Sequence, residues 1–208
     1  MQSVPYKLSE FFILFVLFPV SLVLNYPLVV KMCLGVFGFL YVLFVLVRAE
    51  KLQLKMSSNL KWRVFWRQTL LKLLVISMVT VLYMVFVDAD NLFVVVLNKP
   101  MLWVVILFIY SVFSVYPQEL IFRTFFFKRY ESLFSSPRLV IFMNAILFSM
   151  AHLLFKNTLV LFLTFCGGLL FAWTFMRTRS TILVTIEHAI YGCWLFTVGM
   201  GSMLGFPS

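Results

Sequence analysis

Seven polar or ionisable side chains lie inside long apolar stretches of this sequence. They are Gln118, Glu119, Arg123, Asn144, His152, Glu187 and His188. On insertion scales, a charged residue at the centre of a membrane-spanning helix costs about 2.5–3.5 kcal/mol, so such groups need a structural or chemical reason. Both histidines of the chain are among them. We therefore interpret these side chains as candidates for one buried site.

Glu119 and Arg123 have the spacing of two neighbours on one helix face, because they are four residues apart. A carboxylate and a guanidinium at this spacing neutralise each other. Pro117 lies just before them and removes a backbone hydrogen bond, which favours a local opening of the helix. A purely structural ion pair near the cytoplasmic end of the helix fits the same residues equally well.

Asn144, Phe148 and His152 follow one another at intervals of four, which predicts that they share a helix face. An imidazole on that face can serve as an acid, a base or a hydrogen-bond donor. Taken alone, a single buried histidine is more often a hydrogen bond between helices than a catalytic group.

Glu187 and His188 are adjacent, so their side chains point about 100° apart on a helix. Tyr191 and Gly192 follow one turn later, on the sides of Glu187 and His188 respectively. A polar contact between helices is the alternative interpretation of this segment.

One carboxylate and two imidazoles on three helices can form a hydrolytic site. Glu119 would activate water as a general base, one histidine would assist it, and the other would stabilise an oxyanion. The alternative is a metal site with Glu119, His152 and His188 as ligands. The spacing does not match the single-helix H-E-x-x-H pattern of zinc proteases.

The elements that carry these side chains are predicted to be membrane-spanning helices. Hydrophobic residues make up 63% of the chain and charged residues 12%, whereas soluble domains have roughly 45–50% and about 25%. This excess of apolar residues predicts one all-α membrane domain over residues 1–208, a polytopic bundle of about seven spans. The predicted spans are 8–24, 28–47, 69–87, 101–123, 139–155, 157–176 and 181–204.

Basic residues concentrate in the stretch 48–72, which predicts that this stretch faces the cytoplasm. Lys128 and Arg129 then fall on the same side, with the N-terminus inside and the C-terminus outside. The net charge of +10 is thereby explained as a topology signal, so no nucleic-acid partner is expected. The aromatic and basic residues of 48–68 also suit an interfacial helix, although a plain basic loop fits them better.

Three short motifs in this order resemble the CPBP family of intramembrane proteases, also called the Abi or CAAX-protease and bacteriocin-processing family. The family pattern is E-E-x-x-x-R, then F-x-x-x-H, then H-x-x-x-N or D. Gln118-Glu119 with Arg123 is similar to the first motif, and Phe148 with His152 matches the second. The third is matched only at its histidine, His188. The resemblance covers about residues 101–204.

The resemblance implies an intramembrane endopeptidase of glutamate type. Its catalytic residues would be Glu119, His152 and His188. The supporting residues would be Gln118, Arg123, Asn144, Phe148, Glu187 and Tyr191. The partners would be membrane lipid and a membrane-associated peptide or protein, and the location a bacterial plasma membrane. No cofactor is required, and a divalent metal such as zinc stays open.

Two departures from the family pattern leave a second interpretation open. Gln118 replaces the first glutamate, and Gly192 replaces the asparagine or aspartate after the last histidine. Glu119 can take over the role of base, and we favour this. Alternatively the protein is an inactive membrane scaffold, or an immunity or partner-binding protein. A proton-relay transporter ranks lower, because the chain has no evident internal repeat.

Overall fold

The computed structural model describes residues 3–50 and 62–205. Over these residues the chain is helical and contains no strand. Seven helical segments are long and apolar enough to cross a membrane, which confirms the predicted seven-span, all-α architecture. We number them α1 (Val4–Ser21), α2 (Leu28–Arg48), α3 (Trp62–Val87), α4 (Pro100–Leu133), α5 (Pro137–Phe155), α6 (Thr158–Thr178) and α7 (Thr181–Val198).

The chain divides into two compact units. The first unit comprises Met1–Lys55 and Pro117–Arg177, and the second comprises Met56–Tyr116 and Thr178–Ser208. Each unit is described by itself below. That the whole chain forms one membrane domain, with its N-terminus inside, stays a prediction.

Two helices widen into π-type turns shortly before a proline. In α1 the wide turn Ile13–Leu17 precedes Pro19, and in α4 the wide turn Tyr110–Val115 precedes Pro117. Proline has no N–H to donate, and its ring clashes with the carbonyl four residues earlier, so the turn before it cannot keep regular α geometry. The local change in α4 agrees with the opening predicted at Pro117.

The basic stretch 48–72 differs from the predicted loop. Helix α3 begins at Trp62, so residues 62–68, for which we expected a basic loop or an interfacial helix, are the first turns of a spanning helix. Lys72 likewise lies within α3. The remainder of the predicted interfacial helix, residues 51–61, lies outside the described residues. The helix start at Trp62 was not predicted, because the uninterrupted apolar run begins only after Lys72.

Arg129 is not a solvated topology signal but the centre of a buried network in the first unit. Its side chain is fully buried, and its Nε and Nη1 lie 2.6 Å and 2.8 Å from carboxylate oxygens of Glu10 and Glu50. Tyr130 donates a hydrogen bond of 2.8 Å to Glu10, and the Tyr41 hydroxyl donates to the same carboxylate. The network therefore joins α1, the end of α2, and α4.

Removing the cation of this network should destabilise the first unit. In Arg129→Ala, Glu10 keeps its hydroxyl partners but loses its counter-charge, and breaking a buried pair in this way typically costs about 3–5 kcal/mol. We expect the apparent melting temperature of the protein in detergent to fall. The neighbouring Lys128 is exposed, so Lys128→Ala removes the same charge as a matched control. Equal melting temperatures for the two variants would contradict a structural role for Arg129.

Candidate active site

Glu119 and Arg123 form the ion pair predicted from their spacing. Both side chains are fully buried, and Arg123 Nε lies 3.3 Å from Glu119 Oε2. The pair belongs to the part of α4 that contains the second wide turn, Leu120–Phe125. A carboxylate and a cation are thus held together within a helix that is long and apolar enough to cross a membrane.

Asn144 attaches this pair to α5. Arg123 Nη1 donates a hydrogen bond of 2.7 Å to Asn144 Oδ1, and Asn144 Nδ2 donates one of 2.7 Å to the carbonyl of Phe122. The asparagine is fully buried, and its oxygen and nitrogen both have partners. Because the amide bridges the guanidinium and the α4 backbone, it fixes the direction in which Arg123 points.

Two aromatic rings also lie beside the guanidinium. The Arg123 Cζ lies 4.8 Å from the ring centre of Phe148 and 5.8 Å from that of Phe171, distances typical of cation–π contacts. Phe148 was expected from its motif, whereas Phe171 on α6 was not. No sequence signal distinguishes Phe171, since the chain contains 26 phenylalanines.

His152 lies beyond the helix on which it was predicted. The α-helical part of α5 ends at Met150, and His152 occupies the turn that follows. Its Nδ1 lies 2.8 Å from the carbonyl of Phe148, and the two rings are 5.0 Å apart. A carbonyl only accepts, so Nδ1 carries the proton. In the neutral ring, Nε2 then carries the lone pair of a base.

In the second unit, His188 is paired with a tyrosine that the sequence had not singled out. His188 is only 6% exposed, and its Nε2 lies 3.2 Å from the hydroxyl oxygen of Tyr110 on α4. The rings meet edge to face with centres 6.1 Å apart. Gly192, one turn after His188, adjoins the same tyrosine. The glycine at this motif position was the available signal that another side chain fills the space.

Glu187 forms the contact between helices that was weighed as the alternative for its segment. The carboxylate is fully buried, and Lys72 Nζ on α3 lies 2.6 Å from its Oε1. The Tyr191 hydroxyl is 2.9 Å from the same oxygen and 3.1 Å from the carbonyl of Thr69. Glu187 Oε2 has no hydrogen-bond partner among the described residues. Lys72 is therefore an internal counter-ion rather than a loop residue.

The predicted site residues fall into two groups. Glu119, Arg123, Asn144, Phe148 and His152 belong to the first unit, together with the half-buried Gln118. Glu187, His188 and Tyr191 belong to the second unit. Among residues 3–50 and 62–205, no cluster of three or more His, Cys, Asp and Glu side chains has the arrangement of a metal site. A metal-binding role for Glu119, His152 and His188 stays a prediction.

Residues 100–194 match a protein family described as type II CAAX prenyl endopeptidase, Rce1-like. This segment is Rce1-like. The match runs from the start of α4 into α7 and includes both groups of side chains described above. It confirms the resemblance found in the motifs. Together with the seven apolar helices, it supports a multi-pass integral membrane protein. Comparison with curated proteins and with solved structures gives no significant match.

The Lys72–Glu187 pair outside the Rce1-like motifs should behave as a coupled unit. Lys72→Met leaves a buried carboxylate without its cation and should cost up to about 3 kcal/mol, less than for a fully buried pair because the lysine is partly exposed. Lys72→Met/Glu187→Met removes both charges and should recover much of that loss. Thermal unfolding in detergent measures both.

The exposed Arg67 on the same helix provides the matched control, Arg67→Met. This variant should unfold like the wild type. Additive losses in Lys72→Met/Glu187→Met would show that the two side chains do not act as a pair.

Proposed function

We propose that this protein is an intramembrane endopeptidase in which Glu119 activates water for attack on a peptide bond. The observation that carries the proposal is the Rce1-like match, which includes Glu119, His152 and His188. Three buried or half-buried titratable groups in one family segment support a chemical rather than a purely structural use.

Glu119 is the base in this proposal. Glu119 takes a proton from water as the water oxygen attacks the scissile carbonyl, and it then passes that proton to the departing amine. Arg123 is a positioning residue, since its guanidinium neutralises the carboxylate and is itself held by Asn144. The lone pair of His152 Nε2 shares the proton of the attacking water. Its geometry supports this role, because the Nδ1 contact to Phe148 fixes the tautomer.

In this proposal, His188 stabilises the negative charge that develops on the tetrahedral intermediate, through its ring N–H. Glu187 and Tyr191 support α7 through their contacts to α3 rather than taking part in the reaction.

The substrates we propose are peptides or proteins that reach the site through the lipid. The chain has seven helices that are long and apolar enough to cross a membrane. A substrate anchored by a prenyl group or an apolar leader segment partitions into the same lipid bilayer. The family description names CAAX prenyl endopeptidases, and the bacterial plasma membrane is our proposed location.

The decisive experiment is cleavage of a fluorogenic prenylated CAAX peptide and of an apolar leader peptide by the purified protein. Glu119→Gln keeps the size of the side chain but cannot accept the proton, so we expect kcat to fall at least about 100-fold. Glu131→Gln makes the same change elsewhere on α4 and should leave cleavage unchanged. Full activity of Glu119→Gln would refute the assignment of the base.

Two further arms of this assay test the composition of the site. Residues that act in one step give non-additive losses, so Glu119→Gln/His188→Ala should be little worse than the more damaging single change. Additive losses would instead indicate that Glu119 and His188 act independently. A chelator should leave the cleavage rate unchanged. If the chelator abolished cleavage and added zinc restored it, the result would favour Glu119, His152 and His188 as metal ligands.

An inactive scaffold or partner-binding protein is the second candidate, favoured by Gln118 at the first glutamate of the family motif. This candidate predicts no cleavage by the wild type and a gain of cleavage in Gln118→Glu, because the change restores the carboxylate pair. Gln68→Glu adds the same charge on α3 and is the control. Cleavage by the wild type that depends on Glu119 would exclude this candidate.

A further inference from the structure

The side-chain space at position 192 is filled from another helix. A Cβ built on Gly192 would lie 2.0 Å from the Tyr110 hydroxyl oxygen and 2.3 Å and 2.4 Å from two of its ring carbons. Real Cβ atoms do not approach other atoms so closely, so Gly192 is required by the ring of Tyr110. The phenol on α4 therefore occupies the place that a side chain at position 192 would take.

Because the Tyr110 ring fills the space at position 192, a polar group still lies beside His188. Residues 188 and 192 are four apart on α7, so a side chain at 192 would lie next to the imidazole. The Tyr110 hydroxyl stands in that position, 3.2 Å from His188 Nε2. A hydroxyl both donates and accepts, so it can accept from Nε2–H and donate its own proton onward.

We propose that Tyr110 is the oxyanion donor of this protein and that His188 orients and polarises it. The inference rests on the function proposed above and adds a residue that the family motif does not contain. In the reaction, His188 Nε2–H donates to the Tyr110 oxygen, and the Tyr110 O–H donates to the oxyanion. Neither group gains or loses a proton, since both hydrogen bonds only strengthen as negative charge develops.

The ring of Tyr110 is held firmly enough for this role. It packs edge to face on Phe196 with ring centres 4.7 Å apart, within a buried cluster that also contains Ile106 and Val115. The wide turn of α4 begins at Tyr110 itself. One residue later, Ser111 Oγ lies 3.5 Å from Cys193 Sγ, which adds a contact between the same two helices. A donor fixed before the substrate arrives needs little rearrangement during the reaction.

Tyr110→Phe tests the role of the hydroxyl, because it removes one oxygen and keeps the ring that fills the space at Gly192. Loss of one oxyanion donor typically lowers kcat by about 10²–10³, and we expect that fall in peptide cleavage with little change in KM. Tyr83→Phe is the matched control, since Tyr83 is an exposed tyrosine in the same unit. Tyr110→Phe with wild-type kcat would overturn the proposal.

Exchanging the donor between helices separates chemistry from packing. Gly192→Asn alone should lose activity, because its Cβ collides with the ring of Tyr110. Tyr110→Ala/Gly192→Asn makes room for the asparagine and places an amide donor beside His188. We expect this double variant to cleave at least about tenfold faster than Tyr110→Ala. A double variant no faster than Tyr110→Ala would count against Tyr110 as a donor.

Nitrogen-15 NMR of the histidine side chains checks the contact without any substrate. The chain has two histidines, and His152→Gln identifies the signals of His188. Tyr110→Phe should move only the His188 signals, and unchanged signals would overturn the proposal. If the wild type cleaves no peptide, the proposed function fails and this role fails with it. If the wild type is active and Tyr110→Phe is equally active, only the role of Tyr110 fails.

Discussion

A guanidinium buried among hydrocarbon side chains is stable only where negative charges and hydrogen-bond acceptors lie close to it, and this constraint organises the first unit. Arg123 has Glu119, Asn144 and the face of Phe148 around it. Arg129, two turns further along α4, has Glu10 and Glu50. Each cation therefore draws residues from other helices to one place. Helices α1, α2 and α5 are therefore held where their side chains, or those at their ends, contact these two cations.

The buried carboxylates of both units contact cations. Glu10 receives hydrogen bonds from Arg129, Tyr130 and Tyr41. Glu119 lies 3.3 Å from the Nε of Arg123, whose Nη1 donates a hydrogen bond of 2.7 Å to Asn144. Glu187 resembles Glu10, because a cation and a hydroxyl, those of Lys72 and Tyr191, contact its carboxylate.

The architecture and the Glu119–Arg123 pair could be predicted because they depend on local patterns. Seven apolar runs and a spacing of four residues are readable from one sequence. The partners of Arg129 and Lys72 could not be predicted in this way, because Glu10 and Glu50 lie 119 and 79 positions from Arg129, and Glu187 lies 115 positions from Lys72. A basic residue near the end of an apolar run looks the same whether it faces water or a distant carboxylate. Tyr110 was missed for a related reason, since a tyrosine in a span is usually read as an apolar ring with a polar tip.

The distance of 115 residues between Lys72 and Glu187 also has a consequence for biosynthesis. At about 5–20 residues per second, Glu187 is synthesised roughly 6–23 s after Lys72. Until Glu187 is in place, the long side chain of Lys72 must reach toward the lipid headgroups. Helix α3 is thus inserted before the counter-charge of Lys72 exists, and Lys72 gains that counter-charge only with α7. The seventh span therefore supplies the counter-charge of a residue in the third span. A chain truncated before α7 would leave Lys72 in the membrane without the carboxylate of Glu187.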